Sequence, residues 1–470
     1  MKAGTDVMAT PMTPQDIVER CLELSKADDC VVLVDESDSA NMRWANNTLT
    51  TNGAMRSRVV TVVSTIGDAS GTAAGVVARS AVTPESLEPL VRAAEQTARD
   101  NPPADDAHAL VQGEPAEGWD QPAGETSLEA FAGISPALGE AFRRATADDR
   151  RSYGYVEHSV ATTYLGSSTG LRLRHEQPTG HITITAKSAD LQRSAWVGQS
   201  ARDLADVDAD ALDQELTRRL AWADRSVELS AGHYDTVLPP TAVADLMIYA
   251  YWTMSARDAH EGRTVFARPG QGTRVGERLS QQPISLWSDP ATAGLECAPF
   301  VVAHASSAEQ SVFDNGLPTG RTEWIRDGTL AALLQTRFSA ELTGLALTPF
   351  IDNLGVTING AGGSVDDIVA DVERGLLLTS LWYIREVDPQ TLLLTGLTRD
   401  GVYLVEGGEV VGATNNFRFN ESPVALLDRF AAAGGTVPAL SREWGDYFPR
   451  TAMPPLRVPD FNMSTVSEAL

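Results

Sequence analysis

Three cysteines in 470 residues, at 21, 30 and 297, are too few and too odd in number for a disulfide framework. No CxxC spacing marks a zinc knuckle either. Histidine is also scarce, at 108, 158, 175, 181, 233, 260 and 304, so a histidine-built site has only those places to stand. No stretch reaches the ~18 uninterrupted apolar residues of a membrane span. The opening MKAGTDVMATPMTPQD lacks the apolar core of a signal peptide. The expectation is a cytoplasmic chain with no membrane partner. Basic charge is short as well: 37 Lys and Arg stand against 63 Asp and Glu, a net charge of -26. That excess repels phosphate backbones, which argues against a nucleic-acid partner. No internal repeat is present.

What remains is an ordinary globular composition, 43% hydrophobic and 21% charged, in a chain long enough for two or three domains. In MTPQDIVERCLELSKADD, Thr13 can cap a helix, Pro14 suits its first turn, and Ile17, Cys21, Leu22 and Leu24 form an apolar stripe. The runs CVVLVDES, MRWANNTLTTN, SRVVTVVSTIG and GTAAGVVARS read as an antiparallel meander. A second helix begins at Thr83-Pro84, and residues 101 to 127, rich in Pro, Gly and acids, read as an exposed linker. A third helix is expected over LEAFAGISPALGEAFRRATAD and a fourth over 205 to 225, with strands between them. After the strand YDTVLP comes TAVADLMIYAYW, apolar nearly all round and so a buried helix. Hairpins are expected across Asp327-Gly328 and Gly407-Gly408, and a short helix capped by Ser364 and Asp367 with Gly375 as its stop.

Candidates for chemistry are thin. In RDAHEGRTVFA (257 to 267), His260-Glu261 begins a zinc-helix motif, but the position four on is Thr264 and the next Val265, neither a zinc ligand. A polar helix end is the stronger reading. His175 and His181 flank Pro-Thr-Gly and could face each other across a turn, yet solvated strand positions explain them as well. Cys297 and His304 are seven apart, which establishes no contact. GSSTG (166 to 170) fits the letters of a nucleophile elbow at Ser168, but the strand-like LRLRHEQ follows where a helix is required, so a hairpin turn is expected. The acids Asp206, Asp208, Asp210, Asp366, Asp367 and Asp371 sit in or near helix first turns, where they suit the helix dipole. NGAGGS (359 to 364) has no lysine and is not a phosphate loop.

In the second half, over about residues 230 to 430, GHYDTVLPPTAVADLM, FDNGLPTGRTEWIRDGTLAALLQTRFSAELTGL, VDDIVADVERGLLLTSLW and TRDGVYLVEGGEVVGATNNFRFNES follow one another. In these segments and their order the chain resembles the TldD/PmbA family. LGSSTGLRLR in the first half is similar to its "NSEG" turn. The resemblance implies a zinc metallopeptidase of two related chains acting on unfolded or flexible peptides. One chain, TldD-like, carries HExxxH on the helix after the "YDVVL" strand and a late cysteine. The other, the PmbA or TldE type, lacks them. Laying the motif's trailing Glu-Gly on Glu261-Gly262 puts its histidines near Thr253 and Asp258, and TGLTRDG holds no cysteine.

The expectation is therefore an α+β protein of two domains. Residues 1–228 form an N-terminal antiparallel sheet with flanking helices, 229–450 a strand-rich C-terminal domain, and 451–470 a tail. By resemblance it is a heterodimer's non-catalytic subunit, with no catalytic, cofactor-binding or metal residues of its own. Zinc is expected in the TldD-like partner, and the substrate is a peptide. The alternatives are a homodimeric peptidase with divergent ligands, His260 and Glu261 among them, and a peptide-binding protein without peptidase activity.

Overall fold

The computed structural model describes residues 12–468 and is mixed α+β. The first half is one antiparallel sheet of six strands, in spatial order β3-β2-β1-β4-β5-β6. They are β1 (Asp29–Ala45), β2 (Thr48–Asp68), β3 (Gly71–Ser80), β4 (Arg150–Ser167), β5 (Arg172–Ser188) and β6 (Ser194–Ala201). Four helices flank it: α1 (Pro14–Leu24), α2 (Pro84–Asp100), α3 (Ser135–Ala147) and α4 (Ala209–Trp222). Thr13 and Asp16 close a capping box at the start of α1, with Pro14 in the first turn.

The run Cys30-Val31-Val32-Leu33-Val34 explains how the halves are joined. Successive side chains of a strand point to opposite faces. Val32 and Val34 pack beneath α1 and α2, while Val31 and Leu33 meet Phe300, Val312 and Phe313 of the second half. Both faces are buried, and each such side chain contributes about 1.5–3 kcal/mol.

The second half holds two larger sheets around one helix. A six-stranded sheet runs through Ile284–Ser288 and Leu354–Ile358, and a ten-stranded sheet through Gly232–Leu238 and Arg374–Leu378. Helix α5 (Pro240–Trp252) packs against side chains of both, among them Leu286, Trp324, Leu376 and Phe417. The expected hairpins across Asp327-Gly328 and Gly407-Gly408 are present, as is the Ser364–Asp367 capping box.

Several sequence expectations change. Asn46 and Asn47, read inside a strand, both take left-handed φ values of 49° and 62° and form the β1–β2 turn. The third helix is split into a 3-10 turn, Leu128–Phe131, and α3. Gly375 does not stop a helix: it lies within the strand Arg374–Leu378, where an added Cβ would sit 2.4 Å from the Asp235 carbonyl oxygen. The linker at 101–127 is partly docked, with Leu110 and Trp119 buried. Residues 456–467, set apart as a tail, form a strand between Asn416–Glu421 and Gly232–Leu238.

Candidate functional site

Helix α5 is where the resemblance directs attention. Ala242 to Ile248 and Tyr251 are buried without a break in their apolar character, save for Asp245. The helix ends at Trp252, and Thr253 closes it, donating its hydroxyl to the Ala250 carbonyl at 2.9 Å. Ser255 then caps a separate short helix, α6 (Ala256–His260), by accepting from the Asp258 N–H at 3.2 Å. The interruption is pinned by paired backbone bonds between Met254, Ala256 and Leu334. Thr253 and Asp258 thus lie on different helices, Met254 between them is fully buried, and Asp258 faces Arg263 at 3.2 Å. A hydroxyl already donating, a thioether and an ion-paired carboxylate do not fit catalytic zinc, which takes three nitrogen, sulfur or oxygen ligands. Among the described residues no group of three or more His, Cys, Asp or Glu side chains is arranged to hold a metal ion.

Beside the end of α5 lies a cleft. One cavity of about 320 Å3 is lined by Trp252, Leu334, Phe350, Ser307, Glu309 and Gln310. A second, of about 240 Å3, shares Glu309, Gln310 and Phe350 and continues past Phe300 and Asp314 to Asp352. Asp314 is held by Arg337 at 2.6 Å, and Asp352 by Arg450, whose Nη1 donates to the Thr179 hydroxyl of β5 at 3.2 Å. Glu309 accepts from Ser307 within its own loop. The result is a cleft of mixed lining, with Trp252, Phe300, Leu334 and Phe350 beside the carboxylates of Glu309, Asp314 and Asp352, chemically suited to holding an extended chain.

Sequence reasoning passed over Asp245. Buried completely in α5, it accepts from the Ser441 hydroxyl at 2.5 Å and the Glu443 N–H at 2.8 Å, both through Oδ1. Its Oδ2 has no partner among the described residues. Burial pushes the carboxyl up to about 7. An acid alone in an otherwise apolar helix was the available signal. Here it fastens the segment 441–444 to the helix, with Trp444 Nε1 donating to the Asp245 carbonyl at 3.0 Å.

The other candidates are dispersed. His260 ends α6 in the open, and Glu261 pairs with Arg257 and Arg263. His175 and His181 face each other across no turn: both belong to the one strand β5, on the same face but roughly 20 Å apart. Burial holds both imidazoles below their ordinary value. Ser168 lies in the β4–β5 turn, donating to Asp29 at 2.9 Å and accepting from the Cys30 N–H at 3.1 Å. His304 turns to Asp35 at 3.6 Å, and burial pushes the thiols of Cys21, Cys30 and Cys297 up to about 12. Such thiols are inert as nucleophiles. Asp208 caps α4, and Asp210 in its first turn pairs with Arg144. Asp206 lies in a 3-10 turn. Asp366 and Asp367 open the helix Val365–Ala370, and Asp371 closes it.

A family model described as the PmbA/TldA metallopeptidase C-terminal domain matches residues 231–465. No curated protein matches the sequence. Among solved structures, TldE from Thermococcus kodakarensis is similar with a TM-score of 0.77 at 16% identity, over 95% of this chain and 99% of that one. A proposed modulator of a DNA gyrase from Thermotoga maritima gives 0.74 at 15% identity, over 95% and 99%. A proposed modulator of DNA gyrase from Bacteroides thetaiotaomicron gives 0.73 at 14%, over 96% and 98%. At these identities the likeness is one of fold.

Proposed function

The chain belongs to the PmbA/TldD metallopeptidase family, and from that premise we propose that it is the TldE-like, metal-free subunit of a two-chain zinc peptidase. In this reading a TldD-like partner supplies zinc and the general base, in the cytoplasm, and the substrates are unfolded or flexible peptides. The single observation that supports it is the end of α5. Where the resemblance puts the metal-binding helix, this chain has an interruption at 253–255 and the side chains of Thr253, Met254 and Asp258. Its own contribution is binding. The cleft beside Trp252 and Phe350 offers apolar side chains for a peptide's side chains, and its carboxylates Asp314 and Asp352 are paired with Arg337 and Arg450. The proposed division at residues 228 and 229 leaves this cleft in the C-terminal half, tied to β5 through the bond from Arg450 to the Thr179 hydroxyl.

The test is elemental analysis for zinc on the purified chain, alone and after co-expression with a TldD-like partner. Zinc and peptidase activity only in the pair support the reading. Stoichiometric zinc in the isolated chain overturns it and makes His260 the first residue to replace.

A further inference from the structure

The strand β2 is longer than its outer neighbour. It pairs with β1 from Thr48 to Thr65, but β3 covers only Val59 to Asp68. At Ser80, opposite Val59, the chain turns away through Ala81, whose φ is 52°. Among the described residues no strand pairs with the outer side of 51–58, which read TNGAMRSR. Thr50 marks the far end of this stretch, where the β1–β2 register shifts. Eight residues of open edge span about 27 Å and present alternate N–H and C=O groups to solvent. Free edges are ordinarily guarded by proline, lysine or inward charge. This one has no proline, lysine or acid, and its inward charge is neutralised, Arg56 pairing with Asp38 at 2.7 Å and Arg58 with Glu36 at 2.5 Å.

A groove of about 530 Å3 lies against the same stretch, lined by Glu36, Asp38, Arg56, Arg58, Val82 and Glu125 among others. It opens where β3 departs, so a strand continuing the line of β3 would lay every second side chain into it. Three carboxylates face two guanidiniums there, leaving one negative charge, and Arg56 already spans Asp38 and Glu125. We infer that residues 51–58 of β2 form a docking edge for an extended peptide, neutral to basic in composition, which adds as a strand in the slot that β3 vacates. Main-chain hydrogen bonds supply affinity, and the groove selects side chains. A second copy of this chain is disfavoured by the net charge of -26 that each copy carries. The inference deepens the peptidase reading by giving this subunit a peptide-recruiting edge apart from the cleft at α5.

The experiment is amide hydrogen exchange on the isolated full chain, with a synthetic peptide of alternating threonine and lysine and with its threonine–glutamate counterpart. At a peptide concentration ten times its Kd, exchange at 51–58 slows about tenfold with the lysine peptide. The glutamate peptide produces less protection, and Glu125→Arg reverses the preference. Protection confined to 298–314 and 334–352, or none anywhere, overturns the proposal. So does protection at 51–58 that rises with protein concentration without peptide, which identifies a second copy as occupant. Protection without peptide that is lost on removing residues 1–11 identifies the chain's own segment instead and equally overturns it. Because the readout needs neither zinc nor the partner, it fails or succeeds separately from the test of the peptidase reading.

Discussion

The two halves of the chain are both strand-rich, yet they are connected in opposite ways. In the N-terminal sheet β1, β2 and β3 pair in sequence order, as do β4, β5 and β6, and one long-range pairing, β1 with β4, closes the set. In the C-terminal ten-stranded sheet the last strand of the chain, Leu456–Ser467, lies between Asn416–Glu421 and Gly232–Leu238. Elsewhere in this sheet two pairings are parallel, Leu376 with Thr236 and Ala413 with Ser226. Local ladders form at small loop-closure cost, whereas this second sheet cannot be completed until the chain end arrives. The first half should therefore tolerate damage locally, and the second should fail as a unit.

The sharpest way to break that contrast is to remove residues 456–470. Leu456, Val458, Phe461 and Met463 are fully buried. Losing them forfeits roughly 6–12 kcal/mol of apolar burial, comparable to the whole stability of a domain. Limited proteolysis of the truncated chain should find resistance only within the N-terminal half. A C-terminal half that stays resistant shows that the strand order does not matter to its stability.

Single glycines test how closely the strands of the second sheet approach. An added Cβ at Gly375 meets the Asp235 carbonyl oxygen at 2.4 Å, while at Gly53 on the β1–β2 ribbon it meets nothing within 4 Å. Gly375→Ala is expected to cost about 1–3 kcal/mol, because backbone must shift. Gly53→Ala should stay within about 0.5 kcal/mol of wild type. Urea denaturation of the two variants decides it, and equal effects would contradict the close approach of the two C-terminal strands.

The halves should also respond oppositely to pH. Asp245, raised to about 7 in the fold, binds its proton more tightly when folded, so its contribution to stability is lost as pH rises from about 4 to 7. His175 and His181 are held below their ordinary value. The unfolded chain binds their protons more tightly, so their effect is a loss of stability as pH falls through and below about 6.5. Asp245→Asn should flatten the decline on the rising side by an amount on the order of a few kcal/mol. His175→Asn with His181→Asn should flatten the acid side only. Melting curves from pH 4 to 8 separate the two, and a D245N profile parallel to wild type would place the carboxyl's titration elsewhere.

What the sequence made readable follows the same division. The Thr13 cap with Pro14 behind it, the buried α5 and the hairpins at 327–328 and 407–408 all carry local signals, and all are present. The misreadings come from neighbours that the sequence does not reveal. Pro178 and Gly180 look like a turn between His175 and His181, yet β5 runs straight through them. Strand β6 reaches β5 only from Gly180 onward, so Pro178 sits on an open edge where a proline is tolerated. Gly375 looks like a helix stop because the backbone of Gly232–Leu238, which requires it, lies more than a hundred residues earlier. The candidate cleft was not foreseen at all. Its walls come from residues 252, 298–314, 334–335 and 349–352, brought together only by the long-range sheets.

The smallest expected effect tests the one place where motif and fold compete directly. GSSTG fits a nucleophile elbow by letter, but β4 runs into β5 through it, and the Ser168 hydroxyl is spent between the Cys30 N–H and Asp29. In that position the oxygen closes a turn beside the first residues of β1. Replacing Ser168 with Ala leaves one backbone donor to find water in a half-exposed turn, a cost of about 0.5–1.5 kcal/mol. Peptidase activity of the chain with a TldD-like partner should stay within about twofold, since nothing that touches substrate is removed. A loss of activity by orders of magnitude with unchanged stability would instead make Ser168 the reacting group. In the resting fold that hydroxyl donates to the Asp29 carboxylate and accepts from the Cys30 N–H, so both of its bonds are used to close the turn.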